Sequence, residues 1–306
     1  MYMSEILALG AAACIALSGM LIAELNGRVD LIRLARWQML TGFFVTGAGA
    51  LVLGSWHSVD ESNIGLLALS SLFGIIIGSP CYFAAIYIVG PRTTALLFTL
   101  ASPFSLALGY FFLEETIGPT QALGVLLVLA GILLAIGMRR RETVPAIEVA
   151  PAIALAAKPA LVTPAWIGIA LGVTTALCQA LGSLVVRPAM EGGVDPVAAM
   201  AVRSGLGAAF FVLLALIPLP MLRRPYRFRS EDLGIGVASA IIGTGLGMSL
   251  LMGALATGNV GIVTTLSSMT PIMILPMVWI RSGVAPAGGA WLGAALAVAG
   301  TALISL

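Results

Sequence analysis

Along this chain long apolar runs alternate with short polar clusters, and run length, not a period of two, carries the structural signal. The runs fall near 4–24, 31–54, 63–88, 91–113, 119–138, 165–186, 196–219, 232–256, 258–280 and 285–306. A helix needs about 20 mostly apolar residues to cross a bilayer, so the pattern predicts an all-α membrane protein with ten transmembrane helices. The longest polar connection, RRRETVPAIEVAPAIALAAKPALVTP at 139–164, is rich in Ala and Pro and reads as a linker. It separates two units, 1–138 and 165–306, of five helices each. No Lys or Arg precedes the first run, so it is expected to be a retained span and not a secretory signal.

The two units repeat one another. An offset of 168 or 169 residues places Gly65 on Gly234, Gly74 on Gly243, Gly78 on Gly247, Ser102-Pro103 on Thr270-Pro271, Gly124 on Gly293 and Gly131 on Gly300. Earlier in each unit the echo is weaker: VD at 29–30 answers VD at 194–195, and GFFV at 42–45 lies near AFFV at 209–212. Because five is odd, the copies must enter the membrane from opposite sides, and inverted repeats of this kind place a transport site near the midplane between them. Within the fourth and ninth runs, Pro103 and Pro271 each remove a helical hydrogen bond, to the carbonyls of Thr99 and Ser267. These matched helix breaks are expected to form the walls of a central cavity.

Composition fixes the solvent. With 60% hydrophobic and 9% charged residues and a mean hydropathy of +1.09, the chain belongs in a lipid bilayer. The net charge of +2 comes from arginines spread over connections and helix ends, so no nucleic-acid partner is expected. Arg28, Arg92, Arg139 to Arg141, Arg223, Arg224, Arg227, Arg229 and Arg281 all fall on alternate connections, which by the positive-inside rule face the cytoplasm together with the 139–164 linker. Both termini are then outside. Cys14, Cys81 and Cys178 lie inside apolar runs and read as packing residues, not as a disulfide framework.

Polar residues deep in the runs are the candidate substrate contacts, since each needs a partner away from water. Ser79 and Tyr82 share a face of the third run, as do Thr99 and Ser102 in the fourth. Thr175, Gln179 and Ser183 form a line at i, i+4 and i+8 in the sixth, and Ser267 and Thr270 repeat the fourth-run pair in the ninth. Arg36 and Arg203 occupy similar places early in the second and seventh runs, where they snorkel to the interface or pair with Glu24, Glu191 or Asp195, the alternative being a gate. No Asp, Glu, Lys or His sits in the middle of a run, so export down a gradient, or coupling through an end-of-helix group, is expected over a mid-membrane proton relay. One His excludes an HExxH zinc site, and the sole Lys, Lys158, lies outside any GxxxxGK[ST] loop, so neither an enzyme nor an ATP-driven pump is expected, and no cofactor. A channel would need symmetric assembly around a pore lining, of which there is no sign, so a monomer is expected.

The segments LASPFSLALGYFFLEETIG at 100–118 and GVLLVLAGILL at 124–134 resemble the ten-helix EamA-type exporters of the drug/metabolite transporter superfamily. ALGVTTALCQALGSLVVRPAM at 170–190 looks like that family's sixth helix and GNVGIVTTLSSMTPIMILP at 258–276 like its ninth. The resemblance implies two inverted five-helix bundles around a central cavity in a bacterial inner membrane. It also implies export of small metabolites, with neutral or aromatic amino acids the first expectation and a lipid or lipid-linked sugar flippase the alternative. Where the family often has an aromatic residue in helices one and six, this chain has Ser18 and Gln179, and Arg281 or Ser282 replaces an acid after helix nine.

Overall fold

The computed structural model describes residues 3–113, 118–137, 164–216, 229–257, 266–267 and 269–304. The predicted linker, apart from Pro164, and the start of the ninth run lie outside them. All regular structure among the described residues is helical: α1 (Met3–Glu24), α2 (Leu31–Leu53), α3 (Glu61–Ser71), α4 (Gly78–Phe98), α5 (Ala101–Leu113) and α6 (Pro119–Gly137) in the first unit. The second holds α7 (Ala165–Glu191), α8 (Pro196–Leu216), α9 (Ser230–Ala240), α10 (Met248–Thr257), α11 (Thr270–Ser282) and α12 (Gly288–Ile304). Five stretches, Met3–Glu24, Glu61–Phe98, Ala165–Met190, Pro196–Leu216 and Ser230–Ala254, are long and apolar enough to cross a membrane, and shorter apolar helices accompany them.

Local chemistry explains several boundaries. The VD echo is a pair of helix starts. Asp30 accepts from the Arg33 backbone N–H at 2.9 Å, and Asp195 accepts from Val197 at 2.9 Å and Ala198 at 3.1 Å, each supplying donors at a helix N-terminus with an acceptor. The third and fourth runs join without a loop, because Gly90 takes φ 83°, ψ 163° and turns the chain within one residue. Two six- or seven-residue π-helical turns, Leu72–Ile77 and Ile241–Gly247, sit at the middle of the third and eighth spans. They coincide under the 169-residue offset, so each copy carries the same wide turn at the same depth.

The inversion is visible where equivalent helices meet. A Cβ on Gly124 would lie 2.6 Å from the Gly300 carbonyl oxygen, and one on Gly131 would lie 2.5 Å from that of Gly293. Contacts that descend one helix while ascending the other are antiparallel, and α6 and α12 are equivalents, so the copies run in opposite senses. Only Gly permits so close an approach. The α2–α8 pair is antiparallel as well: Gly42 abuts Ser204, Gly205 abuts Phe43 and Gly49 abuts Val197. Across the same axis α1 packs on the π-turn and α10 of the second unit, and α7 on α3, the π-turn and α4 of the first.

The fourth run is broken where expected, but not at the proline. The interruption is Thr99–Leu100, and Pro103 occupies the first turn of α5, where a missing N–H leaves nothing unsatisfied. The Thr99 carbonyl accepts from the Ser102 backbone N–H at 3.2 Å. Pro271 likewise stands in the first turn of α11, and the Ser267 carbonyl accepts from the Thr270 hydroxyl at 3.0 Å. Each freed carbonyl thus finds a donor within the protein.

Candidate functional site

Between the copies lies a cavity, open at one side, with a solvent-accessible volume of about 140 Å³. Both π-turns contribute to its wall through Gly74 and Ile75 on one side and Gly243 and Thr244 on the other. A π-turn inserts one residue into the helical ladder and turns the backbone outward, and such turns concentrate at functional sites. Met39, Phe83, Phe98, Met200, Met248 and Leu251 give the cavity an apolar body. The polar groups on it are Ser18, Gln38, Ser79, Tyr82, Thr175, Gln179, Arg203 and Thr244, with no acid among the described lining residues.

Contacts across the axis fix which residues are equivalent. Gly42 packs on Thr244 and Ser204, and Gly207 packs on Ile75 and Met39, the same contact seen from the other copy. This sets an offset of 165 residues between α2 and α8 and pairs Gln38 with Arg203. The GFFV–AFFV echo was two residues out of register, and Arg36 is equivalent to Ala201. Similarly, Cys14 packs on Gly247 as Cys178 packs on Gly78, so Ser18 corresponds to Gly182 and not to Gln179.

The two equivalents are treated differently. Gln38, 2% exposed, donates from Nε2 to Ser239 Oγ at 2.6 Å, and its Oε1 lies 3.4 Å from Thr244 Oγ1. Ser18 donates to the Ser239 carbonyl at 2.8 Å, tying α1, α2 and the eighth span together. Arg203, 3% exposed, has no such shell: Nη1 reaches only the Met200 sulfur at 3.6 Å, and Nε is buried without a partner. Among the described residues the side chain makes no ion pair. Its backbone is well held, the carbonyl accepting from Ser71 Oγ at 2.7 Å.

Of the residues singled out by sequence, the cavity brings together Ser79, Tyr82, Thr175, Gln179 and Arg203. Tyr82 stacks edge-on with Phe98 at 6.0 Å between centroids, and its hydroxyl bonds no other described group. Thr175 bonds back to the Leu171 carbonyl at 2.9 Å, and Gln179 donates to Ser183 at 3.3 Å. Ser183 is exposed outside the cavity. Thr99 and Thr270 also stand outside it, because their hydroxyls return to carbonyls three residues back, Leu96 at 2.7 Å and Ser267 at 3.0 Å. Ser102, Ser267 and Pro103 do not line it, and Pro271 borders a separate small crevice with Arg92 and Thr93. Among the described residues of the broken spans only Phe98 lines the cavity, whose described wall is built largely by the two π-turns and their flanking helices, while residues 258–265 of the ninth run lie outside the described residues.

The expected ion pairs differ too. Glu24 pairs with Arg281 Nε at 2.9 Å, not with Arg36, and Asp195 caps its own helix. Arg28 approaches the buried Asp232 at 3.5 Å. Both pairs join the first unit to the second at the arginine-rich end, where Asn26 also donates to the Tyr87 carbonyl at 2.8 Å. Sequence reasoning overlooked Gln38 and Thr244 in the cavity, and left Arg203 between an ion pair near a helix end and a gate. The signal for Gln38 was a polar residue within an apolar helix, visible once the register is set by packing.

The profile of the EamA-like transporter family matches residues 2–137 and 166–306, one match to each copy. A crystal structure of another protein superposes with a TM-score of 0.65 at 21% identity, over 96% of this chain and 94% of its own, a likeness of fold. No curated protein matches the chain.

Proposed function

The chain belongs to the EamA-like transporter family, and from that premise we propose that it exports small metabolites by alternating access, with amino acids bearing apolar side chains as first candidates. The observation that carries this reading is the partly polar cavity between two inverted copies, walled by the same π-turn from each. Access alternates when one copy rocks against the other. The Arg28–Asp232 and Glu24–Arg281 pairs bridge the copies at one end and serve as a gate in this reading. That end faces the cytoplasm of a bacterial inner membrane, with the termini on the opposite side.

The test is efflux from proteoliposomes loaded with a panel of neutral amino acids, related carboxylates and labelled lipids. Saturable, counterflow-stimulated release of a soluble solute supports the reading. Lipid movement alone replaces it with a flippase, and release without saturation replaces it with a pore. An imposed pH gradient that drives accumulation by itself would overturn export down a gradient.

A further inference from the structure

Resting on the transport reading, we propose that the cavity recognises a small organic monocarboxylate, whose anionic end docks on Arg203 while its apolar body fills the rest of the space. A guanidinium keeps its charge, and a buried charge without a counter-ion is strongly disfavoured unless something completes its shell. Arg203 is 3% exposed, lines the cavity, and among the described residues has an unpartnered Nε and no ion pair.

The pseudo-symmetry sharpens the point. The protein supplies Ser239 and Thr244 to the equivalent Gln38. Their counterparts on the Arg203 side are Ser70, whose hydroxyl is committed to the Gly182 carbonyl at 2.7 Å, and Ile75, which has no polar atom. The neutral member is satisfied from within, and the charged member is left facing the cavity.

Charge balance selects the ligand. The described lining holds this one cation and no acid, so a monoanion neutralises the site, a dianion overshoots it and a cation is repelled. The planar fork of Arg fits two carboxylate oxygens at once. An amino acid enters through its carboxylate, but its ammonium meets no acid in the described lining, so it binds more weakly than the corresponding monoanion.

The experiment is equilibrium binding to the purified full chain in detergent, with 3-phenylpropanoate, phenylalanine, 3-phenylpropanamide and phenethylamine as probes, alongside efflux of the same solutes. Both carboxylates are expected to bind, with the amide and amine at least about tenfold weaker. Arg203→Gln, which installs the residue already tolerated at position 38, should lower carboxylate affinity between about tenfold and about a hundredfold. Arg203→Lys should fall between it and the native chain. A merely structural Arg203 would change the Tm of the ligand-free protein while leaving the preference for acid over amide in place. Equal binding of the amide or amine, unchanged affinity in Arg203→Gln, or no carboxylate binding overturns the inference even if another solute is exported. Carboxylate binding without efflux overturns the transport reading and leaves the docking intact.

Discussion

Gln38 and Arg203 hold the same position in two copies of one design, yet only the first is furnished with partners. Replacing Gln38 with Leu removes the donor to buried Ser239 Oγ, which still donates to the Gly236 carbonyl, and the acceptor of the half-buried Thr244 hydroxyl. It is expected to destabilise the protein by about 1–3 kcal/mol, read as a lowered Tm in detergent. Position 243 gives a second test. A Cβ on Gly243 would run into the Ser18 side chain, so Gly243→Ala is expected to cost about 1–3 kcal/mol. Ser18→Gly, which copies Gly182, should recover most of it, whereas a loss that Ser18→Gly does not relieve would locate the strain elsewhere. At this scale the sequence was partly legible. Ser79 with Tyr82, and Thr175 with Gln179, reach the cavity as their helical spacing implied. Thr99 and Thr270 do not, because a hydroxyl's choice between its own helix and the cavity is made by local backbone geometry that spacing does not encode.

Elements differ in how clearly they announce themselves. Ten apolar runs were evident from length alone, and the glycine pattern disclosed the repeat. The π-turns stayed hidden, since a widened turn changes neither composition nor mean hydropathy. Its trace was the recurrence of Gly74 and Gly78 as Gly243 and Gly247: Gly78 and Gly247 give room to Cys178 and Cys14, and Gly74 and Gly243 to Arg203 and Ser18. The prolines misled for a related reason: a proline in an apolar run signals an interruption but not on which side it falls. With Pro103 in the first turn of α5, Pro103→Ala is expected to change stability by less than about 1 kcal/mol, and a larger shift in Tm would restore it as a mid-helix kink. At the α6–α12 contact the tolerance is opposite. Gly131→Val inserts bulk 2.5 Å from a facing carbonyl and is expected to destabilise by more than about 2 kcal/mol, or to prevent folding, as scored by monodisperse yield and Tm.

For the whole molecule, the two ion pairs at the arginine-rich end oppose separation of the copies there. The Arg28→Gln/Arg281→Gln double variant is expected to favour the state open at that end. In a background without the native cysteines, a thiol placed at position 79 should then label several-fold faster from that side, and an unchanged rate would free these arginines from any gating role. Orientation was argued from arginine counts, and a reporter active only in the cytoplasm, fused after residue 306, should stay silent. The glycine seam between α6 and α12 carries one more consequence. Each copy offers a surface that is complementary to its own upside-down twin, so covalent continuity is not what holds the pair in register. A polypeptide severed between residues 150 and 151 should reconstitute when its two fragments are produced in the same cell, and co-purification of the fragments through a tag on one of them would reveal it.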